Sequence, residues 1–436
     1  MIRSIRRTTA ALTVGAATLA LAACGMTAGA TTTDTTLSGT TTTTSVVSSQ
    51  LASTDTHFSQ DDLTWDASSE QTITLADSGS TSSSGSVSVD GSTVTITEAG
   101  VYRVSGSLSD GQLVVAAADD ADVTLILDNA SITNADGTAI AVNSADEATI
   151  YLADGTTNSV ADGSSYEVAD DATPVAAIAS ASDLTIAGAG ALNVTGNAND
   201  GISTKDGLVI ASGTITVHAA DDAIRGKDYV SVLDGTLDIT SGGDALKSDN
   251  YEDEDAGWVS ITGGSLTIDS GDDGIDAEQA IGVSGGTLDI AQAVEGLEAQ
   301  DITVSGGTVS VTASDDGINA TAKTTAEEAA AAESTSSDDT ENSRQAMGSE
   351  SDDGSRLTIS GGTVTIDAAF DGLDSNGTIA ITGGDTTITS ADNGGDAPVD
   401  ANGDITFENA TLTANGTAIT SADELGTQMG GGPGGT

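Results

Sequence analysis

An internal repeat of about 22 residues constrains the fold of this chain more than any other feature. Each copy reads Ser or Thr, two glycines, alternating apolar and polar residues, and then an acidic residue followed by a small residue and Ile or Leu. The glycine pairs are Gly263-Gly264, Gly285-Gly286, Gly306-Gly307, Gly361-Gly362 and Gly383-Gly384, with weaker copies at Gly213 and Gly235. From one last glycine to the next, the successive steps are 22, 29, 22, 21, 55 and 22. A repeat of this length without a helical pattern is typical of stacked coils of short strands.

The residues between the glycines alternate as a β-strand requires. In one coil, Ile302 and Val304 alternate with polar residues, as do Val309 and Val311, and Ile318 follows. Alternation places every second side chain inside the coil, and stacking buries an aliphatic core that no single coil could bury. Because aromatic residues make up only 2% of the chain, this core must consist of Val, Ile, Leu and Ala. The sequence therefore predicts an all-β fold, a parallel β-helix.

The same pattern extends more loosely to the N-terminal third. The run 123–130 (Val-Thr-Leu-Ile-Leu-Asp-Asn-Ala) is echoed by 405–410 (Ile-Thr-Phe-Glu-Asn-Ala). We therefore predict one solenoid over residues 58–424, with a series of separate β-sandwiches as the alternative. The two long steps hold an acidic loop at 250–257 and an Ala/Glu/Ser-rich insert at 321–353, which we expect to be mobile and briefly helical at 326–332.

The charge of the chain limits its partners. It has 67 acidic and 11 basic residues, and three of the basic residues, Arg3, Arg6 and Arg7, lie in the segment 1–23, so that the rest carries 8 − 67 = −59. Self-repulsion of this size opposes folding unless cations bind. It also excludes nucleic acid as a partner, because the phosphates would be repelled.

Carboxylates cluster in each coil around the acidic residue that precedes the small residue and the Ile or Leu. The residues that we predict as metal ligands are Asp221, Asp222, Asp244, Asp272, Asp273, Asp276, Asp315, Asp316, Asp371 and Asp374. Stacking brings them close together, which costs free energy unless a cation lies between them. Oxygen ligands on glycine-rich turns suit Ca²⁺, so the predicted cofactor is calcium. The alternative is a solvated acidic turn that only keeps the protein soluble, but recurrence of the acids in register favours calcium.

Four of the eight remaining basic residues fall in neighbouring coils. Counted from the acidic residue of each coil, Arg225 and Lys247 share offset +3, while Lys205 and Lys227 share offset +5. In stacked coils each pair should lie side by side on one face. The four residues are either charge compensation between coils or an anion-binding patch. In the patch, Lys and Arg would pair with the carboxylate of an acidic sugar, and Ca²⁺ would bridge that sugar to aspartate.

Three aromatic residues, Tyr229, Tyr251 and Trp258, fall in the same coils. Each is a candidate for stacking on a sugar ring and therefore for ligand binding. An aromatic residue at such a position can also cap the core, and for each single residue we favour this second interpretation.

The N-terminal segment 1–23 has the pattern of a secretion signal. Three arginines precede the apolar stretch 10–21, which is too short to span a bilayer, and Leu21-Ala22-Ala23-Cys24 ends the segment. This ending resembles the lipobox of bacterial lipoproteins, in which the cysteine is lipidated and becomes the first residue. We therefore expect a lipid anchor at Cys24, the only cysteine, rather than a stray thiol. A Thr/Ser-rich tether at 24–57, a Gly-rich tail at 425–436 and a location on the outer face of the cell membrane complete this prediction.

The run 305–311 (Ser-Gly-Gly-Thr-Val-Ser-Val), followed by 315–320 (Asp-Asp-Gly-Ile-Asn-Ala), resembles carbohydrate-binding β-helix proteins of bacterial cell surfaces. These are commonly described only as carbohydrate-binding domain-containing proteins, and the resemblance covers about residues 58–424. It implies a right-handed parallel β-helix similar to that of pectate lyases, which binds calcium and plant-type polysaccharides, including acidic ones. By the same resemblance Asp272, Asp273, Asp276, Asp315 and Asp316 are metal ligands, although the insert that begins at 321 departs from the simple coil.

Three functions fit these features. The first is a calcium-dependent carbohydrate-binding protein of the cell surface, a monomer that recognises an acidic or plant-type polysaccharide. The second is a calcium-dependent, pectate-like lyase, with Lys205, Arg225, Lys227 or Lys247 as the base that takes a proton next to the uronate carboxylate. The third is an adhesive or structural stalk. We favour binding over catalysis because no coil carries a residue that is set apart from its repeats.

Overall fold

The computed structural model describes residues 55–166, 173–253, 255–322, 352–392 and 395–425. Several sequence predictions fall wholly or mostly outside these ranges: the signal peptide with Cys24, the tether, the insert at 321–353 and the Gly-rich tail. The helices in the described ranges are the short 3-10 turns Gln60–Leu63, Ala67–Ser69 and Ala422–Glu424. None of them has the length and hydrophobicity that crossing a lipid bilayer would require.

The described chain winds as a parallel β-helix, as the repeat predicts. A coil of the repeat region contributes one strand to each of three ladders, and strands of one ladder in successive coils pair in parallel. Ladder one is a separate 12-stranded sheet, made of Val87–Asp90, Thr93–Ile96, Gln112–Ala116, Ile140–Ser144, Ala176–Ser180, Asp200–Thr204, Ile224–Gly226, Leu246–Ser248, Ile275–Ala277, Leu297–Ala299, Ile318–Ala320 and Leu373–Ser375.

Ladders two and three lie side by side in the chain and are joined into one 23-stranded sheet. Ladder two contains Gln71–Leu75, Glu147–Leu152, Asp183–Gly188, Gly207–Ile210, Tyr229–Val232, Trp258–Ile261, Ala280–Val283, Asp301–Val304 and Ile405–Phe407. Ladder three contains Thr157–Ala161, Ala191–Gly196, Thr214–Ala219, Thr236–Ser241, Ser265–Ser270, Thr287–Ala293, Thr308–Ala313 and Thr411–Ala414. Four long strands run through both ladders: Gly100–Leu108, Val123–Thr133, Arg356–Ala368 and Thr378–Thr389.

The register of ladder three follows the glycine spacing of the sequence. The paired residues that open its strands are at positions 214, 236, 265, 287, 308, 363 and 385, in successive steps of 22, 29, 22, 21, 55 and 22. These steps equal those between the glycine pairs, which confirms that each repeat is one coil. The N-terminal coils continue the ladders with uneven steps. In ladder two, Val123 pairs with Ala148 and Ala148 with Leu184, so the step lengthens from 25 to 36.

The two glycine motifs of the repeat have different structural causes. The second glycine of each pair has a left-handed backbone, with φ of 82° at Gly264 and 74° at Gly286, a conformation that glycine adopts without strain. The glycine after the acidic residue lies where coils approach closely. At Gly296 an added Cβ would lie 2.3 Å from both the carbonyl oxygen of Gly317 and Cγ1 of Val311.

The core inside the coils is a mainly aliphatic column, as predicted, but it also contains the fully buried aromatic residue Tyr102. Leu266, Ile268, Leu288 and Ile290 of ladder three are at most 1% exposed, and their alternating neighbours face outward. Burial of this kind stabilises a coil only when another coil stacks on it, because the apolar side chains of one coil are covered by those of its neighbours. Two short antiparallel strands, Thr81–Ser82 and Thr417–Ile419, pair with the sheet near its two sequence ends.

Candidate functional site

Seven acidic residues of successive coils stack in one column at the turn that leads into ladder one. This acid column consists of Asp200, Asp222, Asp244, Asp273, Glu295, Asp316 and Asp371. Its register follows from ladder one, in which the Ile or Leu two positions after each acid pairs with its counterpart in the next coil. Burial is deep along part of the column, since Asp200 is 1% exposed and Asp273 is 8% exposed.

The acid column has a structural role that the sequence did not reveal. Oδ1 of Asp222 accepts the backbone N–H of Asp244 at 3.0 Å, and Oδ1 of Asp244 accepts that of Asp273 at 2.9 Å. Oδ1 of Asp273 then accepts the N–H of Glu295 at 3.0 Å, and Oδ1 of Asp316 accepts the N–H of Asp371. One carboxylate oxygen of each of these residues therefore joins its coil to the next, and the other oxygen is left for a further partner.

A second column runs beside the first, on the middle residues of the ladder-one strands. This neighbour column consists of Arg225, Lys247, Asp276, Glu298, Asn319 and Asp374, and consecutive members are register partners. The predicted pairing of Arg225 with Lys247 is thus confirmed. The column changes sign along the β-helix, because its first two members are cationic and the next two are carboxylates.

The cationic members pair with acidic residues of their own and adjoining coils. Nζ of Lys247 lies 2.5 Å from Oδ2 of Asp244, 3.5 Å from Oδ2 of Asp276 and 3.7 Å from Oδ2 of Asp222. The guanidinium of Arg225 pairs with Asp249. These contacts correspond to the charge compensation between coils that we considered as one of two interpretations.

The same contacts oppose a role for these groups as a proton-abstracting base. Burial alone would lower the pKa of Lys247, but the charges of Asp244, Asp222 and Asp276 outweigh it and raise that pKa. The pKa of Arg225 is raised in the same way by Asp249. A base must lose its proton near neutral pH, and both groups hold their protons more tightly than usual.

The +5 residues lie nearer to solvent. Lys205 is exposed, and Nζ of Lys227 lies 3.7 Å from Oε2 of Glu252 with 38% of the Lys227 side chain exposed. Their equivalent positions are shown by equivalent bonds, since the N–H of Lys205 donates to Ser180 and that of Lys227 donates to Thr204. These two ammonium groups are better placed than Arg225 and Lys247 to reach a ligand in solvent.

The carboxylate part of the two columns, together with Asp272, forms two groups that could hold a metal ion. Asp273, Asp276 and Glu298 each offer an oxygen within 4.8 Å of the other two, and so do Asp244, Asp272 and Asp273. Asp272 is exposed, which leaves the second group open to solvent. The donor set is carboxylate oxygen, which is the chemistry that Ca²⁺ prefers.

Burial and like charge raise several pKa values in this part. Burial, followed by the charges of Asp244, Glu295 and Glu298, holds the pKa of Asp273 well above its usual range. Burial and Glu298 raise the pKa of Glu295 to about 8. Further along, burial and neighbouring carboxylates raise the pKa of both Asp371 and Asp374 to about 7. The folded chain thus resists full ionisation of this part. Bound protons or a bound metal ion would reduce the repulsion between its carboxylates.

The other predicted ligands lie in the columns or next to them. Asp221, which is exposed, and Asp315, which is half-buried, each precede a member of the acid column by one position. Asp316 in the acid column and Asp374 in the neighbour column are both half-buried. The described residues bring Asp244, Asp272, Asp273 and Asp276 together in the two oxygen groups. Glu298 was not among the predicted metal ligands, although its offset of +3 from Glu295 places it in the same sequence column as Asp276.

The three aromatic candidates differ in their access to solvent. Tyr229 and Trp258 are register partners whose rings stack on each other, with centroids 4.6 Å apart and planes 6° apart. Trp258 is 4% exposed, so its face is covered by Tyr229 rather than offered to a ligand. Tyr251, on the acidic loop, is 46% exposed and remains the accessible ring of the three.

A family profile and a curated relative carry the same description. A profile described as carbohydrate-binding domain-containing protein matches residues 90–325 and 294–397. A protein of that description from Acetivibrio thermocellus is 35% identical over 135 residues, which are 30% of this chain and 47% of the relative. The chain thus spans about half the length of this curated relative. A solved structure of a polysaccharide lyase-like protein from C. thermocellum, a gadolinium derivative, is 34% identical and aligns with a TM-score of 0.48 over 54% of this chain and 91% of its own.

Proposed function

The chain belongs to the family of carbohydrate-binding domain-containing proteins, and we propose that it binds an acidic or plant-type polysaccharide through calcium held in the carboxylate part of its two columns. The observation that carries this proposal is the oxygen group of Asp273, Asp276 and Glu298, whose members lie within 4.8 Å of one another. Ca²⁺ takes six to eight oxygen ligands at about 2.3–2.6 Å, so three carboxylates would leave positions for sugar and water oxygens.

The charge of the site supports a cation as the bridge to the sugar. An acidic polymer would be repelled by the carboxylates, whereas a bound Ca²⁺ would attract a uronate carboxylate and share it with Asp272 or Asp276. Lys227 and Lys205, two and three coils before Asp273, would add charge-assisted contacts further along the polymer. The chain's own residues would hold and orient the polymer, and Ca²⁺ would supply the positive charge at the contact.

Affinity electrophoresis tests this proposal. We expect the protein, produced from position 25 onward, to migrate more slowly in gels that contain polygalacturonate and calcium than in gels without the polymer. Chelator should abolish the retardation, because the bridge to the uronate would be lost. Asp276→Asn should also reduce it, since the amide removes one charged ligand while keeping the shape of the side chain.

A matched control separates the site from total charge. Asp289→Asn removes the same charge from the outer face of ladder three, where the side chain is exposed, and should leave the retardation unchanged. Equal retardation in calcium and chelator would contradict the calcium bridge. Retardation by a neutral polysaccharide but not by polygalacturonate would contradict the acidic substrate and leave carbohydrate binding intact.

We propose in addition that the protein is anchored to the outer face of the cell membrane by a lipid on Cys24. The lipobox resemblance of Leu21-Ala22-Ala23-Cys24 supports this placement. A radiolabelled fatty acid should be incorporated into the protein in growing cells and into none of the Cys24→Ser variant. Recovery of equal label in the variant would place the lipid elsewhere and contradict the anchor.

A further inference from the structure

A short N-terminal segment crosses the outer face of ladder two. This segment, residues 55–69, which we call the strap, contains the 3-10 turns Gln60–Leu63 and Ala67–Ser69. Phe58 and Leu63 of the strap pack on an outward-facing apolar patch of Ala187, Val209 and Ala211. The strap therefore covers apolar surface that would otherwise face solvent.

His57 ties the strap to three strands of ladder two. Its backbone N–H donates to the hydroxyl of Tyr229 at 2.8 Å, and its Nδ1 lies 2.6 Å from the same oxygen and 3.2 Å from Oδ1 of Asp183. Nε2 of His57 lies 2.9 Å from Oγ1 of Thr185, whose hydroxyl donates to Oε1 of Glu147 at 3.0 Å. The His57 side chain is 10% exposed.

The far end of the strap has a separate attachment that does not depend on the histidine. The ring of Trp65 meets that of Tyr151 edge-on, with centroids 5.0 Å apart. Nε1 of Trp65 donates to Glu70, which in turn pairs with Arg103. The strap can thus detach at His57 and remain fixed beyond Trp65.

We propose that His57 is a proton-controlled latch, which holds the strap on ladder two when its imidazole is charged and releases that end when the charge is lost. In the charged form both ring nitrogens donate, Nε2 to Thr185 and Nδ1 to Asp183, so the geometry uses both protons. Loss of one proton replaces the contact with Asp183 by a neutral bond from Tyr229. Release uncovers the apolar patch and the ring of Tyr229.

The charges around the ring set the direction of the pH effect. Burial alone would lower the pKa of His57, but the bond to Asp183 and the charges of Asp183, Glu147 and Asp206 outweigh it, so this pKa is raised above 6.5. The contribution of the His57 proton, taken alone, is therefore fully present below about pH 6.5 and is lost as pH rises through the raised value. Glu147, which also faces Asp62 of the strap, and Asp206 both have raised pKa values. Acid therefore protonates these two carboxylates and weakens their attraction to the charged imidazole.

Hydrogen exchange, corrected for the intrinsic effect of pH, tests the latch on the full chain. The protection factor of strap amides should fall between pH 6 and pH 9, tenfold for each unit by which docking raises the pKa of His57. His57→Gln keeps polar groups but cannot carry charge, so its protection should be low and nearly constant with pH. Asp183→Asn should move the midpoint down toward pH 6.5.

The chain offers a matched control, because it has two histidines and the other, His218, is exposed on ladder three. His218→Gln should reproduce the pH dependence of the unmodified protein. A protection factor that stays constant from pH 6 to pH 9, or one that His57→Gln leaves unchanged at pH 6, would overturn the latch. Equal loss of the pH-dependent fall in protection in His57→Gln and His218→Gln would also overturn it.

Discussion

Lys247 and Asp276 occupy equivalent positions in adjacent coils, and they have opposite effects on the buried acids beside them. The ammonium of Lys247 lies within 3.7 Å of carboxylates from Asp222, Asp244 and Asp276, and it offsets part of the cost of burying them. A carboxylate at the same position instead raises the free energy of ionising its neighbours. The identity of one side chain per coil therefore sets how much positive charge the chain itself supplies to the acid column.

If calcium binds at the group of Asp273, Asp276 and Glu298 as proposed, the equivalence predicts that a lysine can substitute for it. In Asp276→Lys the new ammonium would lie in register between Lys247 and Glu298, near Asp273. The Tm in chelator should rise, and calcium should no longer add the stabilisation of about 2.7 kcal/mol that a ligand gives at 100 times its Kd. Differential scanning calorimetry with calcium and with chelator measures both effects.

The corresponding change on the outer face controls for net charge. Asp289→Lys alters the total charge by the same amount in an exposed position of ladder three, so its response to calcium should equal that of the unmodified protein. If Asp276→Lys retains the full calcium-induced rise in Tm, calcium does not bind at the group of Asp273, Asp276 and Glu298.

At the scale of strands and ladders, the repeat was enough to predict the register. Alternation is a local property of each strand, and the acidic residue marks the same position in each coil, so the pairing of Arg225 with Lys247 could be counted from the sequence. The stacking of Lys247, Asp276 and Glu298 followed from the same count. Where the acidic and glycine motif is missing, as between Ala148 and Leu184, there is nothing to count from, and the ladder depends on turns of unequal length.

Other contacts could not be predicted from the repeat, because they join residues that no period relates. His57 and Tyr229 are 172 positions apart, and the strap that holds His57 lies outside the repeat. The bonds from backbone N–H groups to the acid column depend on the height of one coil above the next, which a residue count does not contain. The mutual stacking of Tyr229 and Trp258 likewise depends on two side-chain orientations.

For the whole molecule, the two columns make stability depend on protons, and on calcium as well if calcium binds there as proposed. Glu295, with a pKa of about 8, and Asp371 and Asp374, with pKa values of about 7, bind protons more tightly when folded than the unfolded values of about 4 allow. A raised pKa in the folded state means that stability is fully present below about pH 4 and is lost as pH rises through about 7 to 8. Residues such as Glu70, whose pKa is lowered by Arg103, act oppositely at the acid end.

We therefore expect the Tm in chelator to be highest near pH 5 and to fall toward pH 9. The slope should be about 1.4 kcal/mol per pH unit for each proton that the folded state holds in excess of the unfolded state. Calcium should reduce the loss at pH 9 much more than it changes the Tm at pH 5, because there protons already neutralise the carboxylates that calcium would bind. Calorimetry with calcium and with chelator at pH 5, 7 and 9, at constant ionic strength, measures how the effect of calcium on Tm changes with pH. A Tm in chelator that is equal or higher at pH 9 would show that the column ionises without cost, and calcium would then have no reason to stabilise the fold through it.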